Sequence, residues 1–93
     1  MVGWAFEFDW DAANRQHIAL HDVEPAEAEQ AYLDPNAVTL EESIVEGEAR
    51  EAVIGLTPQG RLLVVVVADY GDRLRVVTAR PASRREQRVY VNG

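Results

Sequence analysis

The stretch Leu62-Leu63-Val64-Val65-Val66-Val67 constrains this chain more than any other. A β-branched run that is apolar on both faces of a strand has no side to offer to water, so it belongs in the middle of a sheet. Turn signals bound it, with Thr57-Pro58-Gln59-Gly60 before it and Gly71-Asp72 after it. These limits predict a central strand from Arg61 to Tyr70. Its neighbours follow by alternation: Glu48 to Leu56, with Ala52, Ile54 and Leu56 on one face, and Arg73 to Arg80 beyond Gly71-Asp72. Ala37 to Glu41 reads as a further strand, and Glu42 to Gly47 as an acidic loop.

Upstream the period changes. Trp4, Phe6 and Phe8 share one face of a strand from Trp4 to Asp9. Asp9 or Asp11 can cap a helix that runs through Asn14, His17, Ile18 and His21. Glu24-Pro25 opens a second short helix, with Ala28, Ala31 and Tyr32 inward and Leu33 a further candidate for that stripe, and Asp34-Pro35-Asn36 stops it. At the far end Pro81 is expected to begin a C-terminal helix through Arg84, Arg88 and Tyr90. The expected architecture is α+β, an antiparallel sheet with short helices in the order β-α-α-β-β-β-β-α, in one domain over residues 1–93.

With 47% apolar residues the chain can fold around a core. No apolar run approaches the roughly 20 residues of a membrane span, and the N-terminus lacks the basic and apolar segments of a secretory signal. No cysteine is present, which excludes disulfides and thiolate metal sites. A soluble, cytoplasmic protein without membrane partners is the expectation.

Charge is divided along the chain. Residues 1–51 carry thirteen acidic and two basic side chains, whereas residues 52–93 carry three acidic and seven basic ones. A one-sided phosphate-binding surface is therefore compatible with the net charge of -7. All nine basic residues are Arg, the side chain suited to bidentate phosphate contacts. Six of them, Arg73, Arg75, Arg80, Arg84, Arg85 and Arg88, fall within sixteen residues that hold one acidic residue, Glu86. Arg73 and Arg75 share a strand face, with Leu74, Val76 and Thr78 expected on the other. The alternative for this cluster is a solvated face balanced by the acidic half.

On the first helix Trp10, Asn14, His17 and His21 would fall within roughly a 60° arc. Two imidazoles at i, i+4 can share a metal, but no Cys or third His completes a site, so no metal and no cofactor are expected. Either His can act as a general acid or base, or pack its ring against Trp10. Glu48 and Arg50 form either an ion pair or the edge of an active site. Tyr90 can stack on a base, donate a proton, or close the last helix onto the sheet.

Read together, Phe8-Asp9-Trp10-Asp11 with Asn14, His17 and His21, Leu33-Asp34-Pro35, Gly47-Glu48 with Arg50, Gly60-Arg61-Leu62-Leu63 and Arg75-Val76-Val77-Thr78-Ala79-Arg80 resemble the BrnT family of type II toxin-antitoxin systems. The resemblance runs from Phe6 to Tyr90. Where the family usually has Lys-His-Gly-Val, this chain has Leu20-His21-Asp22-Val23. The resemblance implies a RelE-like fold, ribonuclease activity on an RNA substrate, and a BrnA-like antitoxin through which alone operator DNA is bound. By position it assigns Arg75, Thr78 and Arg80 to the sheet motif, Arg84 or Arg85, Glu86 and Tyr90 to the C-terminal helix, and Trp10, Asp11 and His21 to the N-terminal motif.

Two functions compete on this basis. One is a metal-independent endoribonuclease, with Arg75 and Arg80 stabilising charge, His17, His21 or Glu48 as base, and Tyr90 as acid or stacking residue. Arg73, Arg84, Arg85, Arg88 and Trp10 would then bind the flanking RNA. The antitoxin is expected to cover Arg73, Arg75, Arg80 and Arg84. The other is a non-catalytic interaction module whose acidic half binds a basic partner.

Overall fold

The computed structural model describes residues 7–93, so Trp4 and Phe6 of the expected first strand lie outside the described residues. The elements are β1 (Glu7–Asp9), α1 (Ala12–Ala19), α2 (Pro25–Tyr32), β2 (Val38–Val45), β3 (Glu48–Leu56), β4 (Leu62–Tyr70), β5 (Arg73–Pro81) and α3 (Arg84–Asn92). The apolar run forms β4, third of five strands in the order β1-β5-β4-β3-β2. Its two faces serve two cores. Leu63, Val65 and Val67 meet Ile18, Val23, Ala28 and Ala31 beneath α1 and α2. Val64 meets Ile54 and Ala82 on the opposite face, with Val38, Leu62 and Tyr90 packed against them.

The sheet is mixed, which corrects the expectation of a wholly antiparallel one. β2 to β5 form an antiparallel meander, but β1 runs parallel to β5, with Glu7 opposite Arg73 and Asp9 opposite Arg75. No hairpin joins these strands. Two helices and three strands separate them, so turn geometry does not fix their relative direction.

Two boundaries also differ. The expected acidic loop is mostly strand: β2 continues to Val45 and turns back at Glu46 and Gly47, both at positive φ (52° and 80°). That is the backbone of a two-residue primed hairpin turn. Alternation was hidden because β2 is an edge strand whose second half is exposed on both sides. Pro81 does not begin the last helix. It ends β5 opposite Leu63, and the helix starts after Ser83, whose Oγ accepts from the Glu86 N–H at 3.2 Å.

α2 lies against β3 at Gly55, where a Cβ would stand 1.8 Å from the Ala31 carbonyl oxygen. Only glycine permits that approach. α1 is tied down by buried Asn14, whose Nδ2 donates to the carbonyls of Asp9 at 2.9 Å and Val76 at 3.0 Å. This one side chain fastens a helix to both β1 and β5. Asp22 takes φ 62° and so makes a left-handed turn after α1. Aspartate tolerates that conformation better than most residues.

Candidate active site

Where β4 meets β5, a β-bulge sets Val77 out of register: Val67 pairs with Val76, and Val66 with Thr78. An extra residue reverses the alternation that follows it. Thr78 therefore joins Arg73, Arg75 and Arg80 on one face rather than standing with Leu74 and Val76, which corrects the expectation from simple alternation. This is the face that α3 partly covers, as Arg80 and Glu86 show by their ion pair at 2.8 Å.

Pairing carries the row across the sheet. Ser43, Arg50, Ala68, Arg75 and Asp9 follow one another over β2, β3, β4, β5 and β1. Ala52, Val66 and Thr78 form the next line toward α3. Arg50 and Arg75 thus stand two strands, about 10 Å, apart across a floor of small side chains. Glu48 lies beside Arg50, with an Oε1 to Nη2 distance of 3.3 Å.

The arginines of β5 are not open cations. Arg75 Nη1 meets Asp9 Oδ2 at 3.2 Å and Asp11 Oδ2 at 2.9 Å, and its side chain is only 26% exposed. Arg73 pairs with Glu7 at 3.6 Å and with Asp9 at 3.4 Å. Arg80 donates from Nη1 and Nη2 to the two oxygens of Glu86, at 2.8 Å each. The expectation that Glu86 alone opposes this cluster is therefore corrected. Parallel pairing of β1 with β5 brings three more carboxylates to it from residues more than sixty positions away. The hydrogen bond from Arg75 holds the Asp11 carboxyl below its usual range, helped by the Asn14 backbone N–H. The hydrogen bonds from Arg80, against the effect of desolvation, bring Glu86 down to about 2.

Arg84, Arg85 and Arg88 differ from these. All three are exposed on α3, and none has an ion-pair partner among the described residues. They extend the cationic surface past Arg80.

The remaining candidates lie elsewhere. Trp10 precedes α1 and packs on the core beneath α1 and α2, with its indole N–H donating to Glu29 Oε2 at 2.7 Å. It does not share a helix face with the histidines. His17 and His21 are exposed, with ring centroids 5.7 Å apart and edge to face. His17 rides on α1, which covers the opposite side of the sheet from Arg75 and Arg80, whereas His21 lies in the turn after it, because α1 ends at Ala19 and does not reach His21 as expected. No group of three or more metal-ligating side chains occurs among the described residues. Tyr90 packs inward from α3 and donates its hydroxyl to Asp34 Oδ2 at 2.7 Å. Asp34 also accepts from the N–H groups of Asn36 and Leu56. Burial opposes its ionisation, but these three donors outweigh that effect and keep its pKa lowered. The Leu33-Asp34-Pro35 motif thus closes α2, β3 and α3 together.

Sequence reasoning missed Asp9 as a partner of Arg75, and strict alternation set Thr78 on the face away from Arg75, although the family resemblance groups it with Arg75 and Arg80. A capping pattern gave the only signal for the first, and nothing in the residue spacing announced the bulge behind the second.

A family model described as ribonuclease toxin, BrnT, of type II toxin-antitoxin system matches residues 10–86. No curated protein matches the chain.

Proposed function

The chain belongs to the BrnT family of ribonuclease toxins of type II toxin-antitoxin systems, and from that premise we propose that it cleaves RNA without a metal ion on the arginine-bearing face of its sheet. The observation that carries this reading is the placement of Arg75, Thr78 and Arg80 together on one strand face, above small residues and beside α3. A mixed sheet with a helix folded over one face also supports a RelE-like reading of the fold.

In the proposed reaction a ribose 2′-hydroxyl attacks the adjacent phosphorus. The 2′-O–P bond forms, the bond from phosphorus to the 5′-oxygen breaks, and the products are a 2′,3′-cyclic phosphate and a 5′-hydroxyl. Charge builds on the phosphoryl oxygens, where the guanidinium groups of Arg75 and Arg80 can meet it and the Thr78 hydroxyl can donate. The attacking hydroxyl must lose a proton to a base, and the departing 5′-oxygen takes one up. Of the candidate bases, Glu48 is on the same face as the arginines, whereas His17 on α1 and His21 in the turn after it lie across the sheet. Glu48 is therefore the base in this scheme. Tyr90, with its hydroxyl given to Asp34, positions α3.

RNA must first displace carboxylates. Ion pairs that water still reaches, such as that of Arg75 with the 51% exposed Asp11, are worth little, so a phosphate with several charge-assisted bonds to offer can compete for Arg75. Arg84, Arg85 and Arg88 have no carboxylate to shed among the described residues and would take the flanking phosphates, with Arg73 at the other end.

A toxin of this class has an antitoxin partner; we read that partner as a BrnA-like protein that alone contacts operator DNA. The second reading, a non-catalytic module, draws support from the internal pairing of Arg73, Arg75 and Arg80. Expression of the chain alone separates the two. Growth arrest with RNA cleavage, lost in Arg75→Ala and in Arg80→Ala while both variants still melt cooperatively, supports the enzyme. Normal growth with folded wild-type protein present supports the module.

A further inference from the structure

The helices α1 and α2 leave part of their own sheet face uncovered. Beyond Val67 and Leu74 an open groove of about 490 Å³ runs toward the β2 edge, floored by Ile44, Ala49, Val67 and Leu74. Ile44 is 76% exposed there, so the groove keeps a large apolar side chain in water. An exposed apolar patch with a polar rim is the form of a protein-binding surface.

The rim has a definite sign. Glu42, Glu51 and Asp69 stand around the apolar floor. Glu51 accepts from the hydroxyls of Tyr32 at 3.2 Å and Thr39 at 3.0 Å, bonds that leave its charge uncompensated. Glu42 and Asp69 have no ion-pair partner among the described residues. Arg50, the one basic residue among those lining the groove, belongs to the arginine face of the sheet and is engaged by Glu48. Such a rim repels phosphate, so it excludes RNA and selects a segment that carries apolar side chains flanked by Lys or Arg.

We infer that this groove docks a basic amphipathic segment of the antitoxin, on the sheet face opposite the arginines. The inference rests on the reading of the chain as a toxin with an antitoxin partner, and it replaces the expectation that the antitoxin covers the arginine cluster. An acidic segment would only exchange one carboxylate for another there, without net gain, because Glu7, Asp9, Asp11 and Glu86 already stand against Arg73, Arg75 and Arg80. The groove has the reverse character, with open apolar surface and uncompensated acid.

Two arms test it. In the first, the full chain is titrated with the purified product of the neighbouring open reading frame, followed by calorimetry. Ile44→Asp, and separately Glu42→Arg with Asp69→Arg, should weaken the complex at least tenfold and leave RNA cleavage by the free toxin unchanged. Arg85→Glu should leave the affinity as it is. Affinity unchanged by the groove variants, or lost through Arg85→Glu instead, overturns the inference.

In the second arm, a synthetic helical peptide of leucine and lysine on opposite faces is titrated into the labelled chain. Amide shifts gathered at Ile44, Ala49 and Leu74, and abolished by Ile44→Asp, support the groove even if the neighbouring product does not bind and the antitoxin reading fails. Shifts elsewhere, or none, overturn it. Sedimentation of the chain alone covers the remaining occupant: self-association that Ile44→Asp abolishes would give the groove to a second copy and overturn the antitoxin assignment.

Discussion

Replacing Glu86 with Gln isolates the ion pair that joins α3 to the sheet. The Glu86 carboxyl lies at about 2 instead of its ordinary 4.5, chiefly because Arg80 donates to both of its oxygens. A depressed carboxyl contributes stability that is fully present above pH 4.5 and is lost as the pH falls toward 2. Taken at face value the shift corresponds to roughly 3 kcal/mol. The side chain of Glu86 is 21% exposed and that of Arg80 41%, so solvent screening reduces the expected contribution to about 1–2 kcal/mol. The Gln variant keeps the shape of the capping box, in which Ser83 N–H donates to Glu86 Oε1, and so tests charge rather than helix initiation. Urea unfolding at pH 7, 5, 4 and 3 should show the wild type more stable by that amount at pH 7 and 5, with the gap narrowing through pH 4 and 3. A difference that stays constant with pH, or a Gln variant as stable as wild type at pH 7, refutes the assignment of the shift to Arg80.

Gly55→Ala places a methyl group against the Ala31 carbonyl and should cost about 3 kcal/mol or more, seen as a fall in Tm of more than about 10 °C. Asn14→Ala leaves the Val76 carbonyl without its buried donor and should cost about 2–3 kcal/mol, with faster amide exchange in β1 than elsewhere in the sheet. Asp9→Asn with Asp11→Asn keeps the N-cap but frees Arg75, so single-stranded RNA should bind about two- to fivefold more tightly in low salt by fluorescence anisotropy. Unchanged affinity would mean that the carboxylates do not compete with phosphate.

The strands were legible wherever burial imposed a pattern. β3 matches the expected Glu48 to Leu56, and β4 and β5 differ from expectation by one residue at an end, because their apolar alternation is enforced by the two cores. β2 was shortened because an exposed edge strand needs no such alternation, and Glu41-Glu42-Ser43 reads as loop when nothing is buried. The direction of β1 was not legible, since it depends on which strand edge remains free after the meander has formed. That single non-local choice decides the electrostatics of the site, for it sets Asp9 and Asp11 against Arg75. The bulge at Val77 acts in the same way: it moves Thr78 to the arginine face, and a strict two-residue period cannot foresee it. Trp10 lies off the expected helix face for a related reason. Its position beside Asp11 suggests a helix face, but the Asp11 cap starts α1 after it and the half-buried ring packs against the core beneath α1 and α2. Tyr90, by contrast, had a correct structural alternative from the start, the closing of the last helix onto the sheet.

RNA cut by internal transesterification on the Arg75–Arg80 face carries defined ends, which a cleavage assay reads. Purified wild-type chain, incubated with a structured RNA in excess EDTA, is predicted to give fragments ending in 2′,3′-cyclic phosphate and beginning with 5′-hydroxyl, while Arg75→Ala and Arg80→Ala give none. Cleavage that stops in EDTA and returns with one added divalent ion, fragments ending in 3′-hydroxyl, or full cleavage by both arginine variants would contradict this reaction.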